Sequence, residues 1–125
     1  MKIEVSMGEV LDKITILQIK LANLKDEEKL SHVRHELNTL EYSLSQKNIE
    51  IPKELFDKLK DINQTLWDTE DIIREREKSN NFDDEFVKHA RLDAKLNDQR
   101  FLVKNEINNF YDSNIKEQKS YDGLY

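Results

Sequence analysis

The chain has 125 residues and a net charge of −6, with 37% charged and 37% hydrophobic residues. That size predicts a single domain, and the balance suits helices that each bury one stripe and wet the rest. The acid excess, with a pI near 5.1, argues against nucleic-acid partners, which need clustered Lys and Arg to displace counterions. Absence of cysteine removes disulfides, thiolate metal sites and thiol nucleophiles and suits a cytoplasmic protein. Neither an apolar leader nor a run of ~18 apolar residues is present, so no membrane partner is expected.

In chain order, Ile3 and Val5 alternate with Lys2 and Glu4 as a short extended lead-in. Ser6 and Glu9 then fit a capping box. A first helix over 8–24 carries Val10, Ile14, Leu17, Leu21 and Leu24 on one seam, with Ile16 and Ile19 roughly opposite. Apolar groups on two sides predict a central, sandwiched helix. Asp26 caps a second helix over 27–45, with Leu30, Val33, Leu37, Leu40 and Leu44 inward. The short break predicts an antiparallel hairpin.

Pro52 occupies a favoured first-turn position and opens a third helix over 52–78. Its inward stripe is Leu55, Leu59, Ile62, Leu66 and Ile73, flanked by Phe56 and Trp67, and Ser79-Asn80-Asn81 ends it. Asp83 or Asp84 opens a fourth helix over 85–111, with one stripe of Phe86, Ala90, Ala94 and Phe101 and another of Leu92, Leu96, Val103, Ile107 and Phe110. Two apolar stripes exceed what a monomer of this size is expected to cover. A homo-oligomer, with a dimer favoured, is therefore predicted through Leu92, Leu96, Val103, Ile107 and Phe110. Residues 113–125 read as a tail that docks where a partner surface exists. The predicted fold class is all-α, a four-helix bundle or paired helical hairpins.

The signature wording of the first and last helices is similar to that of a known family. Ile3-Glu4-Val5-Ser6, Gly8-Glu9, Asp12-Lys13-Ile14-Thr15-Ile16-Leu17 and Ile19-Lys20 resemble the opening of a small family of bacterial and phage-associated proteins known as a domain of unknown function. Val33-Arg34 with Glu36-Leu37 resembles its second segment, and Asn97-Asp98, Arg100, Lys104 and Glu106-Ile107-Asn108 resemble its last helix. Glu117 and Lys119-Ser120-Tyr121 resemble its C-terminal signature. The match is weakest over 45–81, and Gln18 stands where the resemblance implies a glutamate. The resemblance implies a stand-alone domain and carries no activity. It directs attention to Glu9, Asp12, Lys13 and Lys20 on the first helix, Arg34 on the second, and Asn97, Asp98 and Arg100 on the fourth. Facing one another, these groups would form a polar layer or pocket. The plain reading is a surface ion pair between Glu9 and Lys13, worth ~0.3–0.5 kcal/mol.

Catalytic patterns are sparse. Bundle di-metal sites use Glu-x-x-His on facing helices. The nearest approaches here are His32, His35, Glu36 and Glu28, and the pair Glu85 and His89; both read as solvated faces, so no metal or cofactor is expected. A helical nucleotide pyrophosphohydrolase would need Glu-Glu-x-x-Glu, but Glu27-Glu28 leads to Ser31. An electrostatic clamp of the chorismate-mutase kind would draw on Lys13, Lys20, Arg34, Arg74, Arg91 and Arg100. The expected function is a non-enzymatic interaction or scaffold module that self-associates and has an unidentified protein partner. The alternative is a binding protein or enzyme for a small anionic ligand that uses the polar residues of the first and fourth helices.

Overall fold

A computed structural model describes residues 1–112, which form four helices: α1 (Met7–Asn23), α2 (Glu27–Gln46), α3 (Lys53–Lys78) and α4 (Asp84–Tyr111). Side-chain caps set three of the four starts. Ser6 accepts from the Glu9 amide at 3.2 Å, Asp26 from the Glu28 and Lys29 amides, and Asp83 from the Phe86 amide at 3.1 Å. Each satisfies donors that the first turn leaves unpaired. At α3 the cap position is Pro52 itself, one residue before the helix and without a side-chain bond.

Helix ends that would ordinarily use glycine use asparagine. Asn48 and Asn80 have φ of 53° and 51°, and the amides that follow return to Leu44 O at 3.3 Å and Arg76 O at 2.9 Å. These are left-handed caps built on the residue that tolerates that region best after glycine. Arg76 and Asp83, paired at 2.6 Å, span the α3–α4 turn. The Tyr111 hydroxyl donates to the Glu50 carbonyl, joining the end of α4 to the α2–α3 loop.

As the two-sided pattern predicts, α1 is central. It packs against α2, α3 and α4, whereas α2 approaches α1 alone, and α3 and α4 form the most extensive pair. The result is a helical bundle of two hairpins, with α1 between α2 and the α3–α4 pair. Gly8 meets Asn108, Asp12 meets Asn63 and Arg100, and Lys20 shares a crevice with Arg74. Thus α1 runs parallel to α3 and antiparallel to α4.

The core joins Leu11, Ile14 and Leu17 of α1, Val33, Leu37 and Leu44 of α2, Leu59, Ile62 and Leu66 of α3, and Leu96, Val103 and Ile107 of α4. Each such side chain contributes ~1.5–3 kcal/mol on burial. Four of the five α4 residues expected at an oligomer contact pack within one chain. Leu96, Val103 and Ile107 are 7%, 2% and 0% exposed within one chain, and Leu92 packs partly buried against the same core. Of that stripe only Phe110 is exposed. In the other stripe Phe101 is buried while Ala90 and Ala94 face solvent. The lead-in residues Ile3 and Val5 are exposed, and there is no strand among the described residues. The expectation of a docking tail falls on residues 113–125, outside the described residues.

Candidate functional site

The site grows out of a close approach between the start of α1 and the last turns of α4. A Cβ on Gly8 would lie 2.5 Å from the Lys104 carbonyl oxygen and 2.8 Å from Asn108 Oδ1, so only glycine permits this spacing. The Gly8 amide, one of the unpaired donors of the first turn, donates to Asn108 Oδ1 at 2.6 Å. One turn on, Lys104, 6% exposed, reaches Glu9 at 2.9 Å.

Next comes a buried polar layer across three helices. Asp12 on α1, 1% exposed, accepts from Arg100 on α4 through two parallel bonds: Nε to Oδ1 at 2.9 Å and Nη2 to Oδ2 at 2.5 Å. Asn63 on α3 donates to Asp12 Oδ1 at 2.9 Å and to Thr15 Oγ1 at 2.8 Å, and Thr15 donates to the Asp12 carbonyl. A carboxylate removed from water is tolerated only when its lone pairs are filled in this way. The planar guanidinium supplies two donors in the geometry a carboxylate accepts.

Beyond the layer, the same three helices part to leave a crevice of about 240 Å³. It is lined by Ile16, Ile19 and Lys20 from α1, Asn63, Leu66, Trp67, Glu70 and Arg74 from α3, and Arg100 from α4. Asn63 and Arg100 form its floor, since both belong to the layer. Lys20 is half-buried, and its ammonium has neither ion pair nor hydrogen bond among the described residues; the Trp67 indole N–H likewise has no acceptor there. Glu70 lies beside Asp93 of α4. Burial pushes the Glu70 carboxyl above its ordinary range, the hydrogen bond and charge of Asp93 push it further, and Arg74 and Arg100 oppose them.

The residues singled out from sequence fall into two groups. Asp12 and Arg100 meet, Lys20 opens onto the crevice above them, and Asn97 donates to the Asp93 carbonyl at 3.1 Å behind it. Glu9 pairs with Lys104, and Asp98 is half-buried on α4. Lys13 and Arg34 stand apart, Lys13 near Glu36 at 3.6 Å and Arg34 near Glu27 at 3.3 Å. The expected Glu9–Lys13 pairing is therefore replaced by one partner each on α4 and α2.

Thr15, Asn63, Trp67, Glu70, Asp93, Lys104 and Asn108 were not singled out as polar-site residues. Asn63 had a readable signal, since it sits beside Ile62 and three before Leu66 on the inward seam of α3. His32, His35, Glu28 and Glu85 are exposed, and no group of three or more His, Cys, Asp or Glu that could hold a metal occurs among the described residues. No helix among them is long and apolar enough to cross a membrane.

No curated protein and no solved structure matches the chain. A family model does, over residues 1–124, and so takes in the α2–α3 loop and α3, where the resemblance of wording is weakest. The chain belongs to a family of unknown function, DUF6165.

Proposed function

We propose that the chain is a binding module for a small anionic ligand, held in the crevice between α1, α3 and α4. The observation that carries this reading is the Lys20 ammonium, without a partner among the described residues, on the wall of a cavity that Trp67, Arg74 and Arg100 also line. Donors that meet no protein acceptor on the wall of a cavity are open to the anionic oxygens of a ligand. The apolar wall of Ile16, Ile19 and Leu66 suits a ligand with a carbon body. Binding rather than turnover is favoured because Arg100, the charged group of the floor, is committed to Asp12 beneath it.

Trp67 is the sole tryptophan, so its fluorescence reports on the crevice directly. Titration with carboxylates, phosphate and sulfate should shift its emission and raise the unfolding temperature, with ~2.7 kcal/mol of added stability at about 100 times Kd. Lys20→Met should abolish both responses. If every anion leaves emission and unfolding unchanged, the reading fails.

A second reading, self-association as a dimer, draws on a different surface. Exposed Leu102 borders a groove of about 390 Å³ on α3 and α4 with Lys58, Asp61, Ile62, Gln99, Val103 and Glu106. Light scattering of Leu102→Glu beside the parent chain tests it; a common monomer mass refutes it. A cytoplasmic setting and a bacterial or phage-associated origin belong to the same proposal. The cysteine-free composition supports the first, and the signature blocks of the first and last helices support the second.

A further inference from the structure

Two carboxylates meet at one wall of the crevice. Glu70 lines it, and Asp93 stands behind within hydrogen-bonding reach. Asp93 Oδ1 is shut off from solvent and has no donor among the described residues. Ionised carboxylates only accept, so two in contact require a proton or a positive group between them.

The neighbouring cations meet this need poorly. Arg74 reaches Glu70 only at 3.7 Å, is shared with Asp71 and is 67% exposed. Arg100 gives two of its donors to Asp12, and Asn97 offers Asp93 Oδ2 a 3.4 Å contact. Lys20, across the crevice on α1, has no ion pair among the described residues. The cavity therefore has a wall short of positive charge and a wall short of negative charge, with Ile16, Ile19, Leu66 and the Trp67 ring between them.

We propose that the ligand of this crevice carries an ammonium as well as a carboxylate, as a free amino acid does. The ammonium sits on Glu70 with Asp93 behind it, the carboxylate on Lys20 and the Trp67 indole N–H, and the carbon body against the apolar wall. This rests on the anion-binding reading above and narrows it from any small anion to a zwitterion. Proton linkage follows. Without ligand, Glu70 retains its proton above the ordinary carboxyl value of 4.5. A bound ammonium replaces it, so binding releases a proton, and affinity rises as pH climbs through the Glu70 pKa. The groups around Glu70 that set this window are Arg74 on α3, Asp93 and Arg100 on α4, and Lys20 across the crevice on α1.

The test uses the full chain, Trp67 emission and calorimetry. The probes are the common α-amino acids and the ω-amino acids from glycine to 6-aminohexanoate, each with its deaminated acid and decarboxylated amine. The best amino acid should bind at least about ten-fold, or ~1.4 kcal/mol, more tightly than either analogue. Calorimetry in buffers of different ionisation heat should show proton release. Glu70→Gln should bring the ratio of amino acid to deaminated acid down toward one, and Asp93→Asn should do the same if the first variant is poorly folded. A deaminated acid that binds as well as its amino acid, or a ratio untouched by both variants, overturns the zwitterion while leaving the anion site standing. Silence from every probe, and from phosphate and sulfate beside them, overturns both.

Discussion

Removing Asp12 should cost the fold more than removing any other single polar side chain of the layer. Its carboxylate is 2% exposed and accepts three hydrogen bonds, two from Arg100 and one from Asn63. Bonds to charged groups are worth ~1.5–3 kcal/mol each and do not add simply, while breaking a buried ion pair costs ~3–5 kcal/mol. Arg100 is 28% exposed, so its guanidinium can recover part of its hydration through the crevice, which places Asp12→Ala near the lower end, at about 3 kcal/mol. For a chain of this length that lowers the midpoint by roughly 10 °C. Urea unfolding followed by helical circular dichroism measures it, provided the slope with denaturant is unchanged. A double-mutant cycle with Arg100→Met, which keeps much of the side-chain volume, should give a coupling of about 2 kcal/mol. A coupling within ~0.5 kcal/mol of zero would show that the bidentate pair does not hold α1 to α4, and the structural account of the layer would fall.

Other perturbations separate contacts that the sequence leaves ambiguous. Gly8→Ala gains ~0.5–1 kcal/mol of helix propensity, yet its Cβ would meet the Lys104 carbonyl at 2.5 Å. A net loss of about 1–3 kcal/mol in urea unfolding is expected, and a gain would refute the close approach. Val103→Glu places a carboxylate at a site 2% exposed; circular dichroism with light scattering should show an unfolded, expanded chain. A helical monomer released from a helical oligomer would instead return Val103 to an intermolecular contact. Glu70→Gln should raise the unfolding midpoint at neutral pH. Because the folded-state pKa of Glu70 is raised above 4.5, its favourable contribution is fully present below the unfolded value and is lost as pH rises through the folded one. The parent chain should lose stability across that window while the variant does not; identical pH profiles would show that burial beside Asp93 does not raise the Glu70 carboxyl.

The helices were legible because their signals are local. Ser6, Asp26 and Asp83 are short polar side chains immediately before apolar periodicity, and all three cap the helices they announce. The seam of α2 was equally plain, since that helix packs against α1 alone. The first helix was harder. Its strict seam contained Val10, Leu21 and Leu24, which are only partly buried, and omitted Leu11, which is 0% exposed. A helix packed by three neighbours has no single inward direction, and a stripe drawn for one face misjudges the positions between faces.

The same geometry explains why α4 looked oversupplied with apolar residues. Its second stripe lies against α1 and α3 together, and the polar residues beside that stripe lead inward too: Lys104 follows Val103, Asn108 follows Ile107, and Arg100 lies one turn before Lys104. Each meets the α1 face through Glu9, Gly8 or Asp12. A helix with one buried face would leave those polar positions in water. That they are buried or half-buried and paired shows α4 to be covered by two helices of its own chain. The apolar groups that α4 leaves exposed are Val87, Leu102 and Phe110, and Leu102 is the one on which the dimer reading rests. The crevice was hidden for a related reason. Lys20, Trp67 and Glu70 each sit at the edge of a seam, where a side chain's surroundings depend on how three helices are rotated against one another. That rotation is fixed by Asp12, Asn63 and Arg100, drawn from positions as much as 88 residues apart, and no local window contains all three.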